Sequence, residues 1–256
     1  MKTLAVVLSG GGARGSIQLG ALQALDENNI KIDAISGTSI GSVIGSLYSA
    51  GVKPYAILDI IKSKGFRDLF HFTWHKNGLM DMRKLKAILK ENIKTNSFES
   101  LKIPMHVCVS NIDKGEYEIF NSGSLFNVIT ASASIPIVFE PVKIGKYYYV
   151  DGGLFNNLPV EPFVGKYDDI LGIHVNNYKN KDKHNMKAMA DRIVNLVIKQ
   201  NVAPNLDKCT YIINPNVDNK FSTLNFKNTE ELFDLGYKHG LEFAKTYKAP
   251  TRYDKD

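Results

Sequence analysis

Apolar positions along this chain follow two patterns that alternate from end to end. Short unbroken apolar runs are each followed by a longer stretch in which apolar residues return every three or four positions. Leu4-Ala5-Val6-Val7-Leu8 is the first run. It predicts a strand covered on both faces, because such a strand needs no polar side. Residues 16–28 then place Ile17, Leu19, Leu22 and Leu25 on helical spacing. A second short strand is expected over 32–35. A helix rich in Gly, Ser and Ala follows over 40–50 and ends at Gly51, and another spans 54–64.

Later segments keep the same rhythm. Residues 82–92 predict a helix, 105–110 and 116–121 strands, and 128–133 a short helix stopped before Pro136. A strand over 147–150 ends at Asp151, and 169–175 is a further buried strand. Met186, Met189, Ile193 and Val197 mark a helix over 186–200, and 211–213 a late strand. Asn228, with Glu231 three residues on, has the form of a capping box for a last helix through Lys245. Strands alternating with helices predict an α/β fold, a three-layer sandwich around a mainly parallel sheet. No repeat, low-complexity tract or linker interrupts the 256 residues, so one large domain is expected.

One segment breaks the pattern. Residues 66–80 hold Phe66, Phe70, Phe72 and Trp74 with His71 and His75, without a period. The segment reads either as a loop packed on the sheet or as a lid touching lipid, with Trp74 at headgroup level.

Composition narrows the partners. Hydrophobic residues make up 44% and charged residues 23%, ordinary for a globular chain. No apolar stretch approaches the roughly 20 residues needed to cross a bilayer. The five-residue run at 4–8 is shorter than a leader's apolar region, so a buried strand is the better reading. Cys108 and Cys209 both lie in apolar runs and are expected as free thiols in a reducing cytoplasm. The net charge of +6 favours anionic partners, but it is spread along the chain. Its one dense stretch, 179–187, is interrupted by Asp182 and reads as a solvated loop. No nucleic-acid partner is expected, and the oligomeric state is not legible.

Three motifs carry chemistry. Gly37-Thr38-Ser39-Ile40-Gly41 fits G-x-S-x-G between an apolar run and a small-residue helix. That is the form of a nucleophile elbow, where a tight strand-to-helix turn exposes one serine hydroxyl. A side chain at Gly37 or Gly41 would clash in so sharp a turn. Upstream, Gly10-Gly11-Gly12-Ala13-Arg14-Gly15 follows a strand and opens a helix. Gly10, Gly12 and Gly15 satisfy the dinucleotide pattern G-x-G-x-x-G, but Asp33 stands at the start of the second apolar run rather than at its end. No Gly-Lys-Ser/Thr follows, which excludes a P-loop. The other reading is an oxyanion hole, whose backbone donors are worth about 3–4 kcal/mol each in acyl transfer. Gly11 and Gly12 lead as donors, Gly10 belongs to the same turn, and Arg14 orients it or draws in an anionic substrate. Downstream, Asp151-Gly152-Gly153 closes a strand at the sheet's C-terminal edge, as a base for Ser39 would. Of the six histidines, His174, His184 and His239 follow Asp151, so a triad in the order Ser-Asp-His is open. His174, in an apolar strand, reads better as a core residue.

Taken together and in order, the three motifs resemble the patatin-like phospholipases, a family of Ser-Asp dyad lipid acyl hydrolases. Ala131-Ser132-Ala133-Ser134-Ile135-Pro136, with Phe139 and Pro141, resembles the family's stretch before the aspartate. The resemblance covers about 3–162, and the remaining residues are expected to complete the sheet and outer helices. It implies Ser39 as nucleophile, Asp151 as base, and Gly10, Gly11, Gly12 and Arg14 at the oxyanion hole. It also implies a phospholipid or other acyl-ester substrate, peripheral membrane contact and no cofactor. With no HExxH, no Cys/His cluster and no acidic Ca²⁺ loop, no metal is expected and catalysis should be calcium-independent. Three alternatives stand beside it: a carboxylesterase or thioesterase for soluble acyl substrates, a nucleotide-binding oxidoreductase, and a non-catalytic lipid-binding regulator.

Overall fold

A computed structural model describes residues 2–68, 82–177, 186–217, 221, 223 and 225–247, with 186–195 as backbone alone. The aromatic stretch 69–81, with His71, Trp74 and His75, lies outside the described residues, as does His184.

The strands are β1 (Leu4–Leu8), β2 (Ala34–Thr38), β3 (Met105–Asn111), β4 (Glu116–Phe120), β5 (Val142–Ile144), β6 (Tyr147–Asp151), β7 (Asp169–Ile173) and β8 (Tyr211–Ile213). The helices are α1 (Ser16–Glu27), α2 (Ile40–Ser49), α3 (Pro54–Lys62), α4 (Lys64–Arg67), α5 (Arg83–Asn92), α6 (Leu125–Ser132), α7 (Met186–Leu206) and α8 (Thr229–Thr246).

The eight strands form one sheet in the order β5-β6-β3-β2-β1-β7-β8, with β4 also paired to β3. Strands β3, β2, β1, β7 and β8 run parallel, whereas β4 and β6 are antiparallel to β3, and β5 to β6. Side chains on β1 alternate between two cores, as a strand's twofold period requires. Leu4, Val6 and Leu8 join the large cluster with Ile17 of α1, Ile44 of α2 and Leu232 of α8. Ala5 and Val7 join a smaller one with Leu158, Phe163 and Val202 of α7. Both faces of the sheet are therefore covered, giving the expected three layers. No helix among the described residues is long and apolar enough to cross a membrane.

Three details differ from the sequence reading. Strand β2 runs on to Thr38, directly into Ser39, because Ser36 and Thr38 bury their hydroxyls by donating to Pro159 O and Asn156 O. Strand β5 was too short and too polar to be read. Asn228 makes no side-chain cap. Instead Asn225 Oδ1 accepts from Lys227 N, 3.1 Å away, because a 3-10 turn at Phe226–Asn228 precedes the helix.

Candidate active site

The site begins where β2 ends. Ser39 sits at φ 55° and ψ −126°, with α2 starting at the next residue. A backbone torsion of this kind costs on the order of 1–3 kcal/mol and persists only where surrounding bonds over-determine it. Here they do. Ser39 N donates to Ser132 Oγ (2.9 Å), and Ser132 Oγ donates in turn to Cys108 O (2.7 Å). Ser39 O accepts from Ser42 Oγ (2.7 Å) and from Ser42 N (2.9 Å). The turn also presses on β1: a Cβ at Gly41 would stand 2.4 Å from Leu8 O.

Asp151 comes from the opposite direction. β2 pairs β3 up to Thr38↔Cys108, and β6 pairs β3 from Val109↔Asp151 onward. Because β4 lies along the other edge of β3, β2 and β6 share one edge and run toward each other. The sequence reads Asp151 as closing a strand at the sheet's C-terminal edge; it lies there, beside the end of β2, on a strand that runs antiparallel to β3 and meets the elbow head-on. A Cβ at Gly152 would lie 2.4 Å from Cys108 O, so the residue after Asp151 must be glycine for the strand to end there.

Ser39 Oγ consequently donates to Asp151 Oδ2 over 2.5 Å, and Gly153 N donates to Asp151 Oδ1 over 2.8 Å. Both side chains are buried. Burial pushes the Asp151 carboxyl up to about 6, against the opposing pull of those two hydrogen bonds. Ser134 O, accepting from Asp151 N at 2.8 Å, ties the aspartate to the segment that also supplies Ser132. These two serines explain a stretch whose form the sequence presented without a role.

The Gly-rich turn lies beside the pair, since a Cβ at Gly10 would stand 3.1 Å from Ser39 Cβ. Gly10 N is committed to Asn157 O (3.2 Å), so Gly10 has no donor to offer. Among the described residues, the N–H groups of Gly11 and Gly12 have no protein acceptor. Arg14 is buried: Nε donates to Phe221 O (3.1 Å) and Nη1 to Asn176 Oδ1 (3.3 Å). Asn176 Nδ2 donates to Gly10 O (2.6 Å), so Arg14 braces the turn through Asn176.

No described histidine reaches the pair. His174 follows β7, its N–H bonded to Ile213 O, and burial plus the nearby Arg14 charge lowers its pKa to about 4. His239 pairs with Glu242 on α8. Asp33 Oδ2 accepts from Leu4 N, at the opposite end of β1 from the Gly-rich turn, which is the wrong end for a dinucleotide ribose. Cys108 and Cys209 are free thiols.

An apolar cavity opens onto Ser39 and Gly12, walled by Ile40, Val43, Phe66, Met82, Leu85 and Ile135. Phe66, the described end of the aromatic segment, is packed inside against Phe226.

A serine at a tight strand-to-helix turn, a buried carboxylate in contact with it and an adjacent turn with two N–H groups that have no acceptor among the described residues have the form of a serine-hydrolase site on an α/β sheet. The chain belongs to the patatin-like phospholipase family, whose model matches residues 6–164. It is 30% identical over 281 residues to Lysophospholipase NTE1 of Candida glabrata, covering 96% of this chain and 16% of that protein. It is 28% identical over 282 residues to Lysophospholipase NTE1 of Kluyveromyces lactis, covering 95% and 19%. The chain thus spans less than a fifth of the length of these curated relatives. Its fold is similar to that of VipD from Legionella pneumophila, with a TM-score of 0.61 at 15% identity, covering 96% of this chain and 67% of that one.

Proposed function

We propose that the chain is a lipid acyl hydrolase that cleaves carboxylic esters of phospholipids, lysophospholipids or related acyl lipids. The observation that carries this reading is the 2.5 Å contact of Ser39 Oγ with Asp151 Oδ2 at the end of an apolar cavity. The apolar lining matches an acyl chain in chemistry, and Ser39 belongs to that lining, beside where the ester carbonyl would bind.

Ser39 Oγ attacks the carbonyl carbon while its proton passes to Asp151 Oδ2. The carbonyl oxygen becomes an oxyanion, facing the N–H groups of Gly11 and Gly12. Collapse breaks the bond to the alkoxy oxygen, which leaves as an alcohol with the proton from Asp151. Water then attacks the acyl-enzyme, Asp151 takes its proton and returns one to Ser39, and the fatty acid departs. A buried carboxylate is a stronger base than an exposed one, which suits a dyad without histidine. Such an enzyme meets its substrate at a membrane or micelle surface, and none of these steps uses calcium.

The test is hydrolysis of a p-nitrophenyl acyl ester series and of phospholipid vesicles, with and without EDTA. Activity insensitive to EDTA and lost in both Ser39→Ala and Asp151→Asn is expected. A profile confined to the shortest esters would instead indicate a soluble-substrate esterase, and activity surviving Ser39→Ala would overturn the reading.

A further inference from the structure

Ile137 combines a strained backbone torsion with near-complete exposure. Its φ is +73°, a region that a β-branched side chain rarely enters. Its side chain is 93% exposed, more than that of any other large hydrophobic residue among those described. The cause of the torsion is local. Val138 N donates to Ile135 O (3.2 Å), closing a four-residue turn with Pro136 and Ile137 at its centre. A turn with proline second and a positive φ third is the type II form, which strongly favours glycine at that third place. Ile137 therefore bears torsional strain and recovers none of it through burial.

The turn is held on both sides: its first residue, Ile135, lines the cavity that contains Ser39, and Phe139, the residue after it, is buried in the core. Ile137 is two residues from Ile135, so its Cα lies within about 7 Å of the cavity wall's backbone. The tip is an exposed apolar point two residues from the cavity's lining.

We propose that Ile137 is an interfacial anchor that inserts into the surface of a lipid aggregate and seats the cavity mouth against it. This rests on the lipid-hydrolase reading above and names the surface that the site works on. The occupant is a lipid surface because the turn that exposes this apolar tip also supplies Ile135 to the apolar lining of the Ser39 cavity. An acyl chain leaving an aggregate for that cavity then passes along apolar contact instead of through water. Strain retained at an exposed position is the signature expected of a functional contact, and burying an isoleucine is worth enough to be read in partitioning.

The experiment compares the full chain with Ile137→Gly and Ile137→Leu by flotation with phosphatidylcholine vesicles, by melting temperature and by sedimentation velocity. Glycine relieves the strain, so Ile137→Gly should melt about 2–4 °C higher. The same variant should partition onto vesicles about tenfold more weakly, with Ile137→Leu restoring most of the binding. The ratio of the rate on vesicles to that on a monomeric short-chain ester should fall by a similar factor. Equal vesicle binding by wild type and Ile137→Gly overturns the proposal, as does a wild type that does not float. A dimer lost on Ile137→Gly, without change in flotation, would assign the tip to a second copy and equally overturn it. Flotation does not require turnover, so an inactive but floating wild type would count against the hydrolase reading alone.

Discussion

Thr38 and Asp151 end two strands that run toward each other along one edge of β3, one opposite Cys108 and the other opposite Val109. Consecutive residues of a single strand thus fix the distance between the elbow and its carboxylate partner. Ser132 reinforces this by bonding to both Ser39 N and Cys108 O. The 2.5 Å Ser39–Asp151 contact follows from backbone register rather than from flexible side chains reaching across a cleft.

The pH dependence follows from Asp151. In the proposed mechanism Asp151 is the base and must be ionised, so activity should rise with pH through a midpoint of about 6. A pH–rate profile of kcat/KM on a soluble ester tests this. A midpoint near 4, the ordinary carboxylate range, would show that burial does not tune the group as the structure implies.

Stability should change in the opposite sense at the same residue. The folded pKa is raised from 3.8 to about 6. Between those values the folded state keeps a proton that the unfolded state releases, so the Asp151 contribution to stability declines as pH rises through that window. Above about 6 the ionised, buried carboxylate is a full liability of about 1–3 kcal/mol. Asp151→Asn should therefore be inactive yet more stable than wild type at pH 8, with the gap closing toward pH 4. Urea melts at the two pH values measure it, and a variant less stable than wild type at pH 8 would contradict the account.

Asn201, on α7, is a positioning residue. Its Nδ2 donates to Gly153 O (3.0 Å) and Leu154 O (3.4 Å), while its Oδ1 accepts from Asn157 N (3.1 Å). Gly153 N in turn holds Asp151 Oδ1 (2.8 Å). Asn201→Leu should lower kcat about tenfold, leave KM within a factor of about two, and shift the pH midpoint. A change in thermal stability alone, with kcat and midpoint intact, would reduce Asn201 to a packing residue.

Gly12 has φ +56°, and a Cβ there would stand 2.1 Å from Thr223 O. That carbonyl is fixed by Ala13 N at 2.7 Å. Gly12→Ala should destabilise the chain by about 2 kcal/mol or more and displace the N–H proposed as an oxyanion donor. Turnover should fall by about 10²-fold or more in molecules that remain folded by circular dichroism. Near-normal turnover would remove this turn from the mechanism.

On the proposed function the cavity wall sets acyl length. Val43 is buried beside Ser39, so Val43→Phe fills space that a chain would occupy. The ratio of the octanoyl to the acetyl ester rate should fall about tenfold, in keeping with one to three kcal/mol for a pocket contact. An unchanged ratio would place the acyl chain elsewhere.

By itself the sequence determined the layer order and singled out Ser39 and Asp151 as the candidate pair. Continuous apolar runs alternate with helical stripes because a sheet covered on both faces tolerates no polar side on its central strands. The G-x-S-x-G and Asp-Gly-Gly motifs are legible because close backbone approaches, such as Gly41 on Leu8 and Gly152 on Cys108, allow no side chain. Only the tertiary structure decided strand direction and which N–H groups of the Gly-rich turn have no acceptor among the described residues. Three-residue β5 and half-exposed β6 show no period that distinguishes parallel from antiparallel pairing. That direction is a long-range choice, made by the edge of β3 left vacant beyond Thr38. Likewise Gly10, Gly11 and Gly12 are equivalent as letters. They were separated only when Asn157, 147 residues further along the chain, took the N–H of the first.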